Sequence, residues 1–583
     1  MPSLRNLQEA TSLSEIAPLL KISARMLSFL LFKKPKLDLY QKFDIPKRHG
    51  GVREIHAPER NLKLLQHRLS ILLQECISEI NVTHGHVENE KNLGIAHGFK
   101  RYHTIMTNGR PHVARRYVFN VDLHDFFGSM NFGRVRGFFM KDKNFNLHPN
   151  VATVIAQIAC HENKLPQGSP CSPVISNLIG HTMDIPLVRL ALSEGLTYTR
   201  YADDLTFSTN KPIFSSLIAI PAGGDKWMPG RSLEKIVARS GFSFNDRKTR
   251  MQYQDSRQEV TGLTVNRKVN VPATYRNRVR AMAHALFNTG EFEFINKKRD
   301  ISGNESVYRS KGKRNQLLGM LSYIDQVDRF NKKLREDNKL EPDSTTGRIT
   351  LFRRFLYFDA FYAADEPIIV CEGKTDNVYL RCAIKSLAPS YPKLIVPGKI
   401  PQLKVQFLKY ADRRISQITE LTGGVGGICK LLKNYHEDVK TKFKAPAPKH
   451  PVIVIIDNDS GADSIYGAIA GITKKTKPAG RANFIHVFDN LYVIPTPFGP
   501  QREQTAIEDF FDKTILATKL NGKEFSRRND MENPTHYGKS AFAINVVAKN
   551  ANIINFNNFT PILDRMIEVI DDYQKRLKTS PKP

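Results

Sequence analysis

Two adjacent aspartates, Asp203 and Asp204, lie in the stretch "YTRYADDLTFS", between a tyrosine and an apolar run. Neighbouring carboxylates repel each other and resist burial, so an acidic pair beside a strand needs a compensating partner. Mg²⁺ can be that partner, because it binds in proteins through a few carboxylates together with substrate phosphates. A bare Asp-Asp pair is more often an exposed turn, so its chemistry depends on what the fold brings near it.

A third carboxylate, Asp122, ends the predicted strand "YVFNVDL". If this strand lies beside the hairpin that carries Asp203 and Asp204, three carboxylates converge at one point. Two metal ions held there can activate an attacking 3′-hydroxyl and neutralise a leaving pyrophosphate. The three residues therefore have the chemistry of a nucleotidyl-transfer centre.

Another acidic set follows two apolar strands in the second half of the chain. "PIIVCEG" ends in Glu372, and "PVIVIIDND" ends in Asp457 and Asp459. Continuous apolar strands of this kind are typical of a buried parallel sheet, whose strand ends project side chains into one crevice. A lone D-x-D pattern is weak by itself, because aspartate also favours turns after strands.

The elements that must position these residues divide at a charged segment, residues 332 to 348, which is nearly without large apolar residues and is predicted to be a linker. Before it, residues 1 to 45 are predicted to form short helices. "VREIHAP" then alternates like a strand, and "KLPQGSPCSPVISNLIG" indicates a turn into a helix. Beyond the linker, strands alternate with helices, and "NFIHVFDNLYVIP" is predicted to be a strand.

Bulk composition favours a nucleic-acid partner. The 583 residues carry a formal net charge of +30, which points to a polyanion. The six cysteines have no C-x-x-C spacing, which argues against a disulfide framework and a structural zinc site. No segment approaches the roughly 18 apolar residues of a membrane span, so we expect a cytoplasmic protein without a membrane partner.

The order of motifs in the first half resembles the palm of reverse transcriptases, with Asp122, "LPQGSPCSP" and "YADD" in the places of motifs A, B and C. The resemblance implies that Asp122, Asp203 and Asp204 bind the metal ions. The resemblance also implies a role for each of the other matching positions. Phe127 is a steric gate against ribose, Gln167 and Gly168 contact the base pair and incoming nucleotide, and Tyr201 contacts the primer end. Lys248 protonates pyrophosphate, and Arg53, with Lys47 and Arg48 as weaker candidates, holds triphosphate.

Further features resemble retron reverse transcriptases in particular. Asn108 and His112 in "TNGRPH" precede motif A, and Val260, Thr261 and Gly262 follow motif D as in that family. The resemblance spans about residues 20 to 330. It implies that a structured non-coding RNA (msr/msd) is copied into branched multicopy single-stranded DNA (msDNA) that stays with the protein. "NRKVNVPATYRNRVR" is a candidate RNA-binding surface, and a group II intron-like enzyme is the alternative.

The second acidic set, with the glycine-rich "LTGGVGGICKLL" between its two parts, resembles a TOPRIM domain of the nuclease branch typified by overcoming-lysogenization-defect (OLD) enzymes. That resemblance implies Glu372, Asp457 and Asp459 as metal ligands in phosphodiester hydrolysis. It adds Glu508 as a further catalytic carboxylate and Lys539 as a residue that stabilises charge on phosphate. A catalytically inactive TOPRIM domain with a structural role is the alternative.

We therefore expect an α+β right-hand polymerase with fingers, palm and thumb over residues 1–330. A linker over 331–360 and a mainly parallel α/β TOPRIM domain over 361–583 follow. The expected function is RNA-directed DNA synthesis with a fused nuclease, in bacterial defence against phage. Expected cofactors are Mg²⁺, with Mn²⁺ as a substitute, and the substrates are dNTPs. Expected partners are the cognate RNA, its msDNA and a nuclease target that is RNA or DNA, and homo-oligomerisation stays open.

Overall fold

The computed structural model describes residues 3–35, 39–46, 52–83, 94–299, 305–337, 346–398, 400–408, 413–501, 503–527 and 535–579. The chain divides into two compact units. The first comprises Met1–Arg276 and Gln326–Pro342, and the second comprises Asn277–Asp325 and Asp343–Pro583. Among the described residues, no helix has both the length and the apolar character needed to cross a bilayer.

The first unit begins with helices and a hairpin. The elements are α1 (Ser3–Glu9), α2 (Leu13–Leu19), α3 (Ala24–Ser28), β1 (Tyr40–Pro46), β2 (Val52–Pro58) and α4 (Arg60–Thr83). The sequence predicted only helices up to residue 45, but Tyr40–Pro46 is a strand that pairs antiparallel with β2. Most of its side chains are exposed, so its stability comes from backbone pairing rather than from the apolar pattern that sequence analysis detects.

A four-stranded antiparallel sheet forms the centre of the first unit, in the order β4, β5, β3, β8. The elements of this region are α5 (Ile105–Gly109), β3 (Tyr117–Asp122), α6 (Phe132–Lys141), α7 (Pro149–Ala159), α8 (Ser172–Ser193), β4 (Thr197–Tyr201), β5 (Asp204–Thr209), β6 (Ala219–Pro221), β7 (Trp227–Pro229), α9 (Arg231–Arg239) and β8 (Arg250–Tyr253).

The two faces of this sheet differ in chemistry because side chains alternate along each strand. Tyr198, Phe207 and Phe119 form a cross-strand row on one face, and all three belong to the hydrophobic core that includes residues of α6, α7 and α8. The opposite face carries Thr199, Thr206 and other buried polar residues. The apolar face anchors the sheet, and the polar face leads to the acidic strand ends.

The next elements along the chain are short strands and long helices: β9 (Glu259–Val260), β10 (Leu263–Thr264), α10 (Ala273–Thr289), β11 (Glu293–Arg299), β12 (Glu305–Lys311), α11 (Arg314–Asp337) and α12 (Thr346–Tyr357). The predicted linker, residues 331–360, is therefore largely helical where it is described. Apolar residues of α12 explain this, because Phe352, Phe355 and Tyr357 are buried. The charged part, residues 338–345, lies outside the described residues.

A five-stranded sheet forms the centre of the second unit, in the order β16, β13, β17, β19, β18, with only β18 antiparallel to its neighbour. The elements are β13 (Ile368–Cys371), α13 (Asp376–Ser386), β14 (Ile395–Val396), β15 (Gln402–Leu403), β16 (Gln406–Phe407), α14 (Arg413–Thr419), α15 (Gly424–Thr441), β17 (Val452–Ile456), α16 (Ala462–Thr473), β18 (Ile485–Phe488), β19 (Leu491–Pro495), α17 (Lys513–Leu516), β20 (Glu524–Phe525), β21 (His536–Tyr537), α18 (Lys539–Ala541) and α19 (Thr560–Thr579).

Apolar residues in β13 and β17 are buried throughout, as expected for central strands of a parallel sheet. The stretch "NFIHVFDNLYVIP" is a hairpin, β18 and β19, rather than the single strand that the sequence predicts. Asp489, at the turn, has a φ of 41°, a left-handed conformation that aspartate tolerates better than most residues. The adjacent Asp489 and Asn490 are therefore the feature of the sequence that indicates this turn.

Candidate active sites

The central sheet of the first unit brings the three predicted carboxylates together. Asp122 ends β3 and Asp204 begins β5, and the two are direct partners in the antiparallel register. Asp203 lies in the turn between β4 and β5, and its carbonyl accepts a hydrogen bond of 2.9 Å from the N–H of Leu123. Directly opposed residues have Cβ atoms about 5 Å apart, close enough for both carboxylates to hold the same ion.

Asp122 is 4% exposed and has two side-chain partners from the segment that follows α9. Lys248 donates a hydrogen bond of 2.7 Å to Asp122 Oδ2, and Asn245 donates one of 3.3 Å to Oδ1. The backbone holds this segment in place, because the Asn245 N–H donates to the Asp122 carbonyl at 2.8 Å. The sequence predicted Lys248 but missed Asn245, which lies three residues before it.

Burial and mutual repulsion disfavour ionisation of the Asp-Asp pair. Burial, followed by the charges of Asp203 and Asp122, raises the pKa of Asp204 to about 7. Burial and the charge of Asp122 also raise the pKa of Asp203, while Lys248 and Arg53 act in the opposite direction. Arg53 on β2 is therefore near enough to influence this centre. Lys47 and Arg48 lie outside the described residues.

A buried ion pair supports the turn that carries the aspartates. Arg200 is fully buried and donates to Asp184 of α8 through Nε at 2.9 Å and Nη2 at 2.8 Å. Its Nη1 reaches the carbonyl of Ala202 at 3.3 Å, inside the turn. Ala202 has a φ of 57°, which is unfavourable for a residue with a Cβ, so the turn needs such support. No local pattern in the sequence indicates this pair, because the partners meet only in the folded unit.

The predicted base-pair contacts lie in the loop before α8. The carbonyl of Gln167 accepts a hydrogen bond of 2.9 Å from the N–H of His56 in β2. Gly168 has a φ of 125°, and a Cβ there would lie 2.6 Å from the His56 carbonyl oxygen. Glycine is therefore required at this close approach between the loop and the hairpin.

Phe127 and Tyr201, the predicted contacts to the nucleotide and the primer, lie near the same acidic strand ends. The ring of Phe127 is half-buried and lies 6.0 Å from that of Phe99 and 5.5 Å from that of Phe126. Tyr201 is the cross-strand partner of Asp204, and burial and the Asp204 charge raise the pKa of its hydroxyl. Phe127 is thus held by two aromatic neighbours, Phe99 and Phe126.

The residues at the positions of the retron motifs contact strands β4 and β5 and helix α5. His112 is fully buried, and its two ring nitrogens contact Ser208 Oγ at 2.7 Å and Thr199 Oγ1 at 2.8 Å. It thereby joins β4 and β5, the strands on either side of the aspartate turn. Thr261 Oγ1 donates to the Ile105 carbonyl of α5 at 3.4 Å, so the two signature segments are neighbours.

The donor set of this first centre fits a divalent cation. Carboxylate oxygens are the ligands that Mg²⁺ and Mn²⁺ prefer, and Asp122 and Asp204 are opposed at one sheet edge with Asp203 in the adjoining turn. Burial and mutual repulsion raise the pKa of Asp203 and of Asp204, so nearby positive charge favours the ionised form of both. Lys248 supplies only part of this positive charge, because its ammonium pairs with Asp122.

A second acidic centre lies at the carboxyl ends of parallel strands in the second unit. Glu372 follows β13 and Asp457 follows β17, and the Asp457 N–H donates to Glu372 Oε2 at 3.3 Å. Asp457 Oδ1 accepts a hydrogen bond of 2.9 Å from the N–H of Ile507. Asp459 accepts one of 2.8 Å from the N–H of Gly461, and its charge acts on Glu372.

Glu508 and Lys539 form an ion pair in this centre. Lys539 Nζ lies 2.9 Å from Glu508 Oε1, and Glu508 is completely buried. The charges of Asp457 and Asp376 both act on Lys539, which places the pair beside the strand-end carboxylates. Glu508 lies in the first turn of the short helix Ile507–Phe510, and its carboxylate is buried against Lys539 rather than solvated.

Asp376 is a carboxylate of the second centre that the sequence analysis missed. It begins α13, is buried, and accepts a hydrogen bond of 2.7 Å from the N–H of Gly373. Its position four residues after Glu372, at the start of the helix, was the available signal. Burial, followed by the charge of Glu508, raises the pKa of Asp376 to about 6.

Asp457 has the most strongly disfavoured charge of this centre. Burial and the charges of Asp376, Glu508 and Glu372 raise its pKa to about 8. Burial also raises the pKa of Glu372. Carboxylate oxygens are the ligands that divalent cations prefer, and a bound cation would favour the ionised forms of Glu372 and Asp457.

Comparison with known proteins identifies relatives for part of the chain. Retron Mx65 reverse transcriptase of Myxococcus xanthus is 34% identical over 290 residues, which are 46% of this chain and 62% of the relative. Retron Ec86 reverse transcriptase of Escherichia coli is 29% identical over 299 residues, 50% of this chain and 84% of the relative. Retron Mx162 reverse transcriptase of Myxococcus xanthus is 29% identical over 360 residues, 55% of this chain and 65% of the relative. The chain thus spans less than two thirds of two of these relatives.

Solved structures align only loosely. An apo telomerase from Candida tropicalis matches with 14% identity and a TM-score of 0.24, covering 41% of this chain and 56% of the telomerase. A foamy viral protease-reverse transcriptase in complex with double-stranded DNA matches with 12% identity and a TM-score of 0.25, covering 73% of this chain and 59% of that chain. No protein-family model matches. Sequence homology to retron reverse transcriptases therefore covers about half of this chain.

Proposed function

We propose that the first unit is an RNA-directed DNA polymerase that copies a cognate retron non-coding RNA into branched msDNA. The convergence of Asp122, Asp203 and Asp204 at one sheet edge carries this proposal. The similarity to retron reverse transcriptases supports the choice of template. On this proposal the three carboxylates hold Mg²⁺, which supplies Lewis-acid activation of the 3′-hydroxyl and neutralises pyrophosphate.

On this proposal the remaining residues have the roles that the resemblance to reverse transcriptases implies. Lys248 holds Asp122 in orientation and carries a proton that it can give to the leaving pyrophosphate. Burial alone would lower the pKa of Lys248, but its hydrogen bond to Asp122 and the carboxylate charges raise it. Arg53 binds the triphosphate of the incoming dNTP, and Phe127 excludes the ribose 2′-hydroxyl.

DNA synthesis by the purified chain on a primed RNA template tests the polymerase. We expect the Asp203→Asn, Asp204→Asn double variant to make no product, because amide oxygens carry no charge for the metal ions. Asp255→Asn is the matched control, since Asp255 is exposed in the same unit. Normal yield of full-length product from the double variant would overturn the assignment.

We further propose that the second unit is a TOPRIM nuclease that hydrolyses phosphodiesters with bound Mg²⁺. The observation that carries this is the set Glu372, Asp457 and Glu508 with Lys539 at the ends of parallel strands. Glu372 and Asp457 would hold the metal ion together with Asp459, and Lys539 would stabilise charge on the phosphate. The target is RNA or DNA.

Glu372→Ala tests this second activity because it removes a ligand without touching the polymerase residues. We expect loss of cleavage of RNA and DNA substrates, and of any toxicity in cells, with unchanged DNA synthesis. Unchanged cleavage or toxicity would exclude Glu372 as a required metal ligand and overturn the assignment of a nuclease to this centre. Together the two activities fit a role in defence against phage, in which the msDNA complex restrains the nuclease; phage plating on cells with each variant tests this role.

A further inference from the structure

A cluster outside both acidic centres joins the β1–β2 hairpin to the loop that precedes α8. His56, His161 and Glu162 each offer one ligand atom, and these atoms all lie within 4.8 Å of one another. His56 belongs to β2, and the other two belong to the turn before "LPQG". All three lie in the first unit.

The backbone fixes the two segments relative to each other. His161 and Lys164 exchange two hydrogen bonds, of 2.9 and 3.0 Å, which close a two-residue turn. Glu162 and Asn163 in this turn have φ values of 48° and 58°. The His56 N–H donates to the Gln167 carbonyl, so β2 is tied to the same loop a few residues further on. The three side chains therefore meet without a large rearrangement.

The rings of the two histidines are held in place by packing. Tyr40 stacks on His161 with ring centroids 4.0 Å apart and meets His56 edge-on at 6.5 Å. The hydroxyl of Tyr40 accepts a hydrogen bond of 2.7 Å from Gln66 Nε2. Rings that are already positioned lose little conformational entropy when they bind an ion.

Glu54 sets the tautomer of His56. Its Oε1 lies 2.6 Å from His56 Nε2, and a carboxylate that is ionised can only accept. Its other oxygen, Oε2, pairs with Lys42 Nζ at 2.6 Å, so the Glu54 carboxylate accepts from both partners. Nε2 of His56 therefore carries the proton and Nδ1 carries the lone pair. Histidines that bind metals are commonly oriented by a carboxylate on their other nitrogen.

We propose that His56, His161 and Glu162 form a binding site for a zinc-class transition-metal ion. Two imidazoles and one carboxylate suit Zn²⁺ or Co²⁺, whereas Mg²⁺ prefers oxygen ligands alone. The ion would join β2, which carries Arg53, to the loop that carries Gln167 and Gly168. The ion would stabilise the contact between β2 and this loop. It is separate from the metal ions of the acidic centres.

Equilibrium dialysis of the full chain against Zn²⁺, with excess Mg²⁺ to occupy the carboxylate centres, tests the site. We expect wild type to bind one more Zn²⁺ per chain than His161→Gln. His181→Gln is the control, because His181 is an exposed histidine of α8, and it should bind as wild type does. Equal Zn²⁺ stoichiometry and affinity for wild type and His161→Gln would overturn the proposal.

A second variant distinguishes the loss of a metal ligand from a folding defect in His161→Gln. Glu162 is exposed, so Glu162→Gln should leave the fold intact and weaken Zn²⁺ binding at least ~10-fold through loss of a ligand. Co²⁺ in place of Zn²⁺ should give the visible absorption of a low-coordinate nitrogen and oxygen site in wild type and weaker absorption in Glu162→Gln. Identical Co²⁺ spectra and Zn²⁺ affinities in the two proteins would contradict the site.

Discussion

Asp122 and Asp204 face each other across neighbouring antiparallel strands, at the edge where the aspartate turn begins. The register that opposes them also places Asn120 opposite Thr206 and Phe119 opposite Phe207. Slipping the pairing by one residue would move every side chain to the other face, so the buried aromatic row also fixes the position of the carboxylates. The geometry of the centre is thus a consequence of core packing.

Removing one partner of the Arg200–Asp184 ion pair should destabilise the first unit. Arg200→Gln leaves the Asp184 carboxylate buried without its guanidinium, which we expect to cost about 3–5 kcal/mol in the free energy of unfolding. Denaturant unfolding of the purified protein measures this. Arg189→Gln, an exposed arginine of the same helix as Asp184, should change stability by less than about 0.5 kcal/mol.

The double change Arg200→Met, Asp184→Leu separates charge burial from packing. If the cost arises from an unpaired charge, the double variant should be more stable than Arg200→Gln. A double variant as unstable as the single one would show that the hydrogen bonds to the turn, rather than charge compensation, account for the effect.

Phe127 should control the choice between deoxyribonucleotides and ribonucleotides. In Phe127→Val the smaller side chain leaves room for a 2′-hydroxyl, so discrimination should fall on the order of 10–100-fold. The ratio of kcat/KM for dNTP and rNTP insertion is the measurement. Phe132→Val, at the start of α6, is a control of the same chemistry, and an equal loss of discrimination there would refute a specific gate.

His112 should make the stability of the first unit pH-dependent. Burial, followed by the charges of Arg115 and His97, lowers the pKa of His112 to about 3 from its usual 6.5. The unfolded chain then binds a proton that the folded chain does not, so stability is present above pH 6.5 and is lost as pH falls toward 3. Between pH 7 and pH 5 this amounts to about 2 kcal/mol.

Comparing wild type with His112→Gln isolates that contribution, because the other histidines are unchanged. The difference in unfolding free energy between the two proteins should shrink by about 2 kcal/mol from pH 7 to pH 5. A difference that stays constant over this range would mean that His112 has the same pKa in the folded and unfolded chain, which would contradict the lowered pKa.

Asp376 should be as important to the second centre as Glu372. Asp376→Asn retains an oxygen that can accept from the Gly373 N–H, so it removes the charge and keeps the helix start. Phosphodiester cleavage should fall on the order of 100-fold or more through weakened metal binding. Asp463→Asn, an exposed carboxylate at the start of α16, should cleave normally, and equal activity of both variants would exclude Asp376 from the site.

The sequence alone located the carboxylates better than it located their supports. Asp122, Asp203 and Asp204 stand at strand ends that the apolar pattern indicates, and the structure brings them together. Arg200 and Asp184 gave no signal, because a buried ion pair depends on tertiary proximity and not on local spacing. Strand Tyr40–Pro46 was missed for a related reason, since nearly all of its side chains, including Phe43 and Ile45, are exposed and only pairing with β2 makes it a strand.

In the second unit, too, local sequence patterns indicate strand ends but not tertiary contacts. Glu372 and Asp457 follow buried apolar runs, so their meeting at one sheet edge could be predicted from strand order alone. Asp376 belongs to a helix start, where an aspartate usually serves as a local cap, and only burial beside Glu508 distinguishes it. The helix Thr346–Tyr357 within the predicted linker was hidden by the charged residues around it.

The nucleic acid that copurifies with the chain tests the central claim most directly. The chain should be expressed with its native locus, purified, and its bound nucleic acid sequenced before and after RNase treatment. We predict single-stranded DNA joined to RNA in wild type and none in the Asp203→Asn, Asp204→Asn variant. The same DNA in both proteins, or RNA without attached DNA in wild type, would contradict the account.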